Sequence, residues 1–305
     1  MKEKTKKYDC IIIGGGIAGI TAAIYLKQAN KEVLLIEKST LGGVLNKIST
    51  IKNYPGNPGI SGPDLAYNLY KQVIDLKVEV LADTVINIKH LKTCNKVILK
   101  DKELTCKYLI LATGKEPRKL NLEHEDELIG HGVSYCALCD GFFFKNKKVA
   151  VIGAGESALK EAIYLSNICS MVTIINKYNY FKCKDDMIKE IENKNNIQVL
   201  YNSFIKSLNT NSNKLESITY LQNEKIINLD VEGVFVYIGS TPNIFGSLKL
   251  DLDKNYVKVN SNMETNIDTI YAVGDIIKKD LYQLINAASE GMIAATNIIK
   301  KLNKK

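Results

Sequence analysis

Tryptophan is absent from this 305-residue chain, proline occurs five times, histidine three times and arginine once, at Arg118. The net charge of +8 therefore rests almost wholly on lysine, which binds phosphate as a point charge and lacks the bidentate fork of a guanidinium. Abundant Lys, Asn and Ile beside scarce Pro and absent Trp indicate an AT-rich coding genome, under which arginine drifts to lysine without a functional cause. No apolar run approaches the roughly 18 residues that span a bilayer, which argues against a membrane-spanning helix. The basic stretch 1–7 leads into Tyr-Asp-Cys-Ile-Ile-Ile-Gly-Gly-Gly and not into a signal core and cleavage site, so a cytoplasmic location is expected. There is no basic stripe with interleaved aromatics, which argues against nucleic acid, while the positive balance favours acidic partners. His90, His124 and His131 show no metal-ligand spacing. Seven cysteines, an odd number without a secretory signal, argue against a structural disulfide framework. Of these, Cys10, Cys94, Cys106, Cys169 and Cys183 read as ordinary packed or surface residues.

The length suits two α/β domains. An apolar run at residues 8–13, a glycine turn at 14–19, helical composition over 18–28 and a second apolar run at 33–36 make a βαβ unit, which implies parallel strands and a doubly wound sheet. The pattern recurs with a strand at 148–152, a glycine turn at 153–158, a helix at 157–166 and a strand at 171–175. Residues 269–273, Gly274-Asp275 and a helix over about 283–301 do not complete the second unit and read as the chain returning to the first. The expected architecture is two Rossmann-like domains, one formed by residues 1–115 and 244–305, the other inserted as 116–243. Gly and Pro interrupt the apolar runs at both links, Gly114 to Pro117 and Gly239 to Pro242.

Gly14-x-Gly16-x-x-Gly19 follows a strand, opens a helix and precedes Glu37 at the end of the next strand, the full context of a dinucleotide-binding fingerprint. Gly14 permits the tight turn, Gly16 lets the backbone approach a pyrophosphate, and the Glu37 carboxylate suits two ribose hydroxyls. Without a ligand, the same pattern would be a tight βα turn. Cys136-Ala-Leu-Cys139-Asp140 is the second signal. Zinc would need two further ligands at matching spacing, and none exists, so a redox pair is favoured over a metal site or an accident. Asp140 is placed to exchange the proton that thiol chemistry requires, or else is a structural carboxylate at a helix start.

Together with Asn53-Tyr-Pro-Gly56, Ile60-Ser-Gly-Pro-Asp64, Ala112-Thr-Gly114 and Ala272-Val-Gly-Asp275, in this order over nearly the whole chain, these motifs make it resemble the low-molecular-weight thioredoxin reductases. The resemblance implies a homodimer with FAD in the first domain and the redox cysteines in an inserted pyridine-nucleotide-like domain. It implies that Cys139 receives electrons from the flavin, Cys136 attacks the disulfide of thioredoxin, and Asp140 is the acid. It also implies cofactor contacts at Gly43, Asn53, Ala112, Thr113, Gly114, Gly274, Asp275, Tyr282 and Gln283, beside Gly14, Gly16, Gly19 and Glu37.

The chain departs from the family where NADPH would bind. The second glycine turn is present as Gly153-Ala-Gly155-Glu-Ser-Ala158, but the cationic clamp for the 2′-phosphate is replaced by Asn176-Lys-Tyr-Asn-Tyr-Phe-Lys182. Lysine drift accounts for Lys177 and Lys182, not for Tyr178 or Asn176. Gly42-Gly-Val44, Gly239-Ser-Thr-Pro-Asn243 and Tyr282 also differ from the family pattern. Together the departures suggest a changed donor, and reduced ferredoxin, an acidic protein suited to a basic partner, is favoured over NADPH or NADH. A flavin-binding sensor without turnover is a weaker reading, since both cysteines and Asp140 are retained.

Overall fold

The computed structural model describes residues 7–48, 50–183 and 185–304; residues 1–6 of the basic start lie outside them. The chain divides into two units, Met1–Glu116 with Pro242–Lys305, and Pro117–Thr241.

The first unit is built on a sheet whose strands run in the order Glu79–Ala82, Val33–Glu37, Lys7–Ile13, Glu103–Leu111, Asn95–Ile98, Asn87–His90. The first four are parallel and the last two antiparallel. A seventh strand, Ile270–Ala272, pairs in parallel with the carboxyl end of Glu103–Leu111. The chain thus returns to its first sheet after leaving it for well over a hundred residues. Lys7–Ile13 is apolar throughout because both its faces are covered: Cys10 and Ile12 pack on one side with the helices, Tyr8, Ile11 and Ile13 on the other. The helix Ile17–Gln28 lies between that sheet and the helix Leu284–Asn303. It buries Ile17, Ala18, Gly19, Ile20, Ala22, Ala23, Ile24 and Leu26, so it shows no apolar stripe. A Cβ on Gly291 would overlap the Ala18 carbonyl, which is how closely the two helices pass.

The second unit has an all-parallel sheet in the order Ile197–Leu200, Met171–Ile175, Lys148–Ile152, Gly233–Val236, Val133–Ser134. An antiparallel sheet of Ser203–Asn211, Lys214–Gln222 and Lys225–Asp230 accompanies it. Among the described residues no helix is long and apolar enough to cross a membrane.

Candidate active site

In open α/β sheets a ligand sits beyond the carboxyl ends of the strands, where the strand order reverses. In the first unit that place lies beside Lys7–Ile13, and the segments singled out in the sequence converge on it. Gly14 and Gly16 leave the end of Lys7–Ile13, Glu37 ends the next strand, Ala112–Gly114 follows Glu103–Leu111, and Gly274–Ile276 follows Ile270–Ala272. Gly14 has φ +107°, and a Cβ there would overlap the Ala112 carbonyl oxygen; a Cβ on Gly19 would overlap the carbonyl of Gly14. Around Gly16 nothing lies within 4 Å of the Cβ position, which is the open approach a pyrophosphate needs. Gly43, at φ +55°, sits across from Gly16, and Gly42 N–H donates to the Gly15 carbonyl at 2.7 Å.

Glu37 is engaged by its own loop. Oε2 accepts from Gly15 N–H at 2.6 Å, and Oε1 from the N–H and hydroxyl of Ser39 at 2.9 and 3.1 Å. A carboxylate has about four lone-pair sites, so it can still accept from ribose hydroxyls while these bonds hold it in place. Asn53 and Gln283, 230 positions apart, are brought together by a 2.7 Å hydrogen bond. The Thr113 hydroxyl donates to the Asn243 carbonyl at 2.6 Å, and Asn243 N–H to the Gly114 carbonyl at 3.0 Å. Tyr282 packs against Tyr256 with ring centroids 5.8 Å apart, and the Lys115 ammonium sits 3.2 Å from the Tyr282 ring centroid. Burial and the Tyr256 hydroxyl push the Tyr282 phenol up to about 12. Asp275 lies half-buried in the short turn Gly274–Ile276.

Two residues of this region carry no motif. Glu290 is buried, accepts from Gly274 N–H at 2.8 Å and pairs with Lys279 at 2.7 Å. It thereby fixes the turn that carries Asp275. The single acidic residue of the helix Leu284–Asn303, set among Ala287, Gly291 and Ala294 on its buried face, is the signal that could have found it.

In the second unit Cys136 and Cys139 are joined in a disulfide, directly after the edge strand Val133–Ser134 and on the short helix Ala137–Asp140. Cys136 is buried at 7% exposure and Cys139 is exposed. Cys139 N–H donates to the Cys136 sulfur at 3.2 Å, a bond that stabilises negative charge there. The Ser134 hydroxyl donates to Asp140 Oδ2 at 2.6 Å and accepts from Cys136 N–H at 3.0 Å. Tyr237, just beyond the neighbouring strand Gly233–Val236, accepts from Ala137 N–H at 2.7 Å. Ser134 and Tyr237 carry no motif either. Three other cysteines differ in kind: burial pushes the Cys106 thiol up to about 12 and that of Cys169 to about 11, and it raises Cys10 well above the ordinary thiol range.

The second glycine turn keeps its opening, since nothing lies within 4 Å of a Cβ on Gly155. Lys182 N–H donates to the Ala154 carbonyl at 2.7 Å, so the altered clamp adjoins this turn. Lys182 and Lys177 flank the half-buried Tyr178 ring at 4.1 and 5.1 Å, and hydrogen bonds from Lys182, then Lys177, lower its phenol. Asn176 is fully buried and turned inward: Nδ2 donates to the Tyr180 carbonyl at 3.0 Å and Oδ1 accepts from Tyr178 N–H at 2.9 Å. Among the described residues no group of His, Cys, Asp and Glu could hold a metal.

Residues 8–291 match the family model described as pyridine nucleotide-disulphide oxidoreductase. The chain is 36% identical over 293 residues to a thioredoxin reductase of Ureaplasma parvum, covering 94% of each. The crystal structure of Lactococcus lactis thioredoxin reductase in its FR conformation superposes with a TM-score of 0.87 at 33% identity, over 96% of this chain and 98% of that one. A ferredoxin-flavin thioredoxin reductase of Clostridium acetobutylicum matches with a TM-score of 0.56 at 30% identity, over 98% and 99% of the two chains.

Proposed function

The chain belongs to the pyridine nucleotide-disulphide oxidoreductases and, within them, to the thioredoxin reductases, which are FAD enzymes; from that premise we propose how its residues divide the work. The observation that carries the reading is the Cys136–Cys139 disulfide with Asp140 held beside it. FAD fits the first unit, where Gly16 leaves room for a pyrophosphate and Glu37 retains capacity for a ribose; Gly43, Asn53, Ala112, Thr113, Gly114, Gly274, Asp275, Tyr282 and Gln283 complete its site. When bound, FAD supplies an electron pair.

With two electrons and two protons the disulfide becomes a dithiol. The Cys136 thiolate, favoured by the N–H of Cys139, attacks one sulfur of the thioredoxin disulfide. A mixed S–S bond forms as the acceptor's own bond breaks, and the leaving sulfur takes a proton held by Asp140. Cys139 then gives its proton to Asp140 and closes on Cys136, and the acceptor's second sulfur leaves as a thiolate that takes its proton from water, releasing the reduced acceptor. A Cys139→Ser variant should trap the mixed disulfide through Cys136; trapping only in Cys136→Ser would reverse the assignment.

For the donor, the open turn at Gly155 and the lysine pair beside it support a pyridine nucleotide. A point-charge contact to phosphate replaces the missing fork. The inward-turned Asn176, which offers a ligand nothing, favours the second reading, reduced ferredoxin. Anaerobic bleaching of the flavin by NADPH, NADH and reduced ferredoxin, each added alone, separates the two. Rapid bleaching by either nucleotide removes the ferredoxin reading, and bleaching by ferredoxin alone removes the other. A homodimer completes the proposal, with Tyr67, Tyr70 and Ile74 exposed at helical spacing on Gly62–Asp75 as support; a monomeric sedimentation mass would count against it.

A further inference from the structure

Ser134 is 4% exposed, and its single hydroxyl meets three partners. It accepts from Cys136 N–H at 3.0 Å, its hydrogen reaches Asp140 Oδ2 at 2.6 Å, and the Cys136 carbonyl lies at 3.3 Å as a second acceptor. A hydroxyl has one hydrogen and two lone pairs. When Asp140 is ionised, that hydrogen points at Oδ2 and one lone pair takes the Cys136 N–H. When Asp140 is protonated, its O–H donates to the second lone pair, and the serine hydrogen turns to the Cys136 carbonyl. Neither state leaves a buried polar group without a partner, and the change needs only rotation about the Cβ–Oγ bond.

We infer that Ser134 is a positioning residue that keeps Asp140 reversible as a proton carrier, its hydroxyl reversing direction each time the carboxyl gains or loses a proton. The inference rests on the disulfide-reductase reading, in which Asp140 gives one proton and takes one back in each cycle. The other titratable groups around this turn are the two cysteines, Tyr237 and, from the helix Glu156–Ser166, Tyr164, whose ring adjoins Gly141, and Glu161, whose charge reaches Tyr237. Burial, then the charge of Glu161, holds the Tyr237 phenol protonated, and burial raises Glu161 as well. The bond from a hydroxyl to a carboxylate is stronger than that to the neutral acid. Losing Ser134 should therefore disfavour the ionised form of Asp140.

The test is the pH dependence of alkylation by iodoacetamide of the protein reduced with dithiothreitol, read separately at Cys136 and Cys139 by mass spectrometry. The limb due to Asp140 is the one that Asp140→Asn abolishes. Ser134→Ala should move this limb up by about one pH unit, and Ser134→Thr, which keeps the hydroxyl, should restore it. A limb unmoved in Ser134→Ala, one as displaced in Ser134→Thr, or a wild-type profile identical to that of Asp140→Asn overturns the inference. Should the alanine variant not fold, the infrared carbonyl stretch of protonated Asp140, identified by its loss in Asp140→Asn, decides. A hydrogen-bonded position upholds the inference and a free-acid position overturns it. Alkylation needs no acceptor: wild-type protein that fails to reduce thioredoxin while the limb shifts as stated would sink the thioredoxin reading and leave the role of Ser134 standing.

Discussion

Gly14 and Gly16 stand two residues apart in one loop, yet the structure gives their substitution by alanine opposite consequences. At Gly14 the backbone has φ +107° and a Cβ would overlap the Ala112 carbonyl oxygen. The left-handed conformation costs a non-glycine residue roughly 1–2 kcal/mol. Forcing a methyl against main chain costs about 1–3 kcal/mol more. Gly14→Ala should thus destabilise the apoprotein by about 3 kcal/mol, roughly 10 °C in melting temperature for a domain of this size. At Gly16 the backbone is extended, with φ −73°, and the space around the Cβ position is empty. Alanine there costs the fold about 0.5 kcal/mol, because the residue is a helix N-cap. The same methyl fills the approach to the pyrophosphate. Overpacking of about 1–3 kcal/mol at that contact would weaken FAD binding by roughly 5- to 150-fold. Urea unfolding of both apoproteins, with titration of FAD fluorescence quenching, separates the two effects. Wild-type stability in Gly14→Ala, or wild-type FAD affinity in a folded Gly16→Ala, would refute the reasoning.

Glu290→Gln should cost about 3 kcal/mol in urea unfolding, because it leaves the nearly buried Lys279 ammonium without its counter-charge, the two side chains being 11% and 10% exposed; a loss below about 1 kcal/mol would mean that the pair is solvated. Asn176→Ala removes two inward hydrogen bonds and should destabilise the second unit by about 1–3 kcal/mol, whereas an unchanged midpoint would show that the loop holds without them. The Tyr178 phenol, lowered by Lys182 and Lys177, should ionise below the ordinary tyrosine range in an absorbance titration. The sign follows from the depressed folded value: the coupling favours the fold fully above the unfolded pKa and is lost as pH falls through the folded one. Lys182→Ala should shift that titration upward, and a titration that does not move would place the cause elsewhere.

The two glycine turns, the βαβ units and the Cys-x-x-Cys pair could be read in the sequence alone, because each is a local pattern of spacing within about 30 residues. The turn at Gly14 must be glycine wherever a strand feeds a helix this tightly, and the cysteine spacing favoured a redox pair once no further metal ligands matched it. The return of residues 269–273 to the first sheet was also legible, since they had no helix or partner strand with which to complete the second unit. Even the donor question was raised by the sequence, through Tyr178 and Asn176, although not which way Asn176 faces.

Tertiary structure decided which polar groups are already engaged. Asn53 finds Gln283 across 230 positions, Glu290 holds Gly274, and Glu37 is gripped by Gly15 and Ser39 before any ribose arrives. Ser134 and Tyr237 flank the disulfide only because Val133–Ser134 and Gly233–Val236 are neighbours in one parallel sheet. Periodicity reports which face of an element is buried, and it does so from nearest neighbours in the chain. A hydrogen bond between distant segments has no period. It exists only once strand order has set which carboxyl ends lie side by side, and burial then makes the bond obligatory.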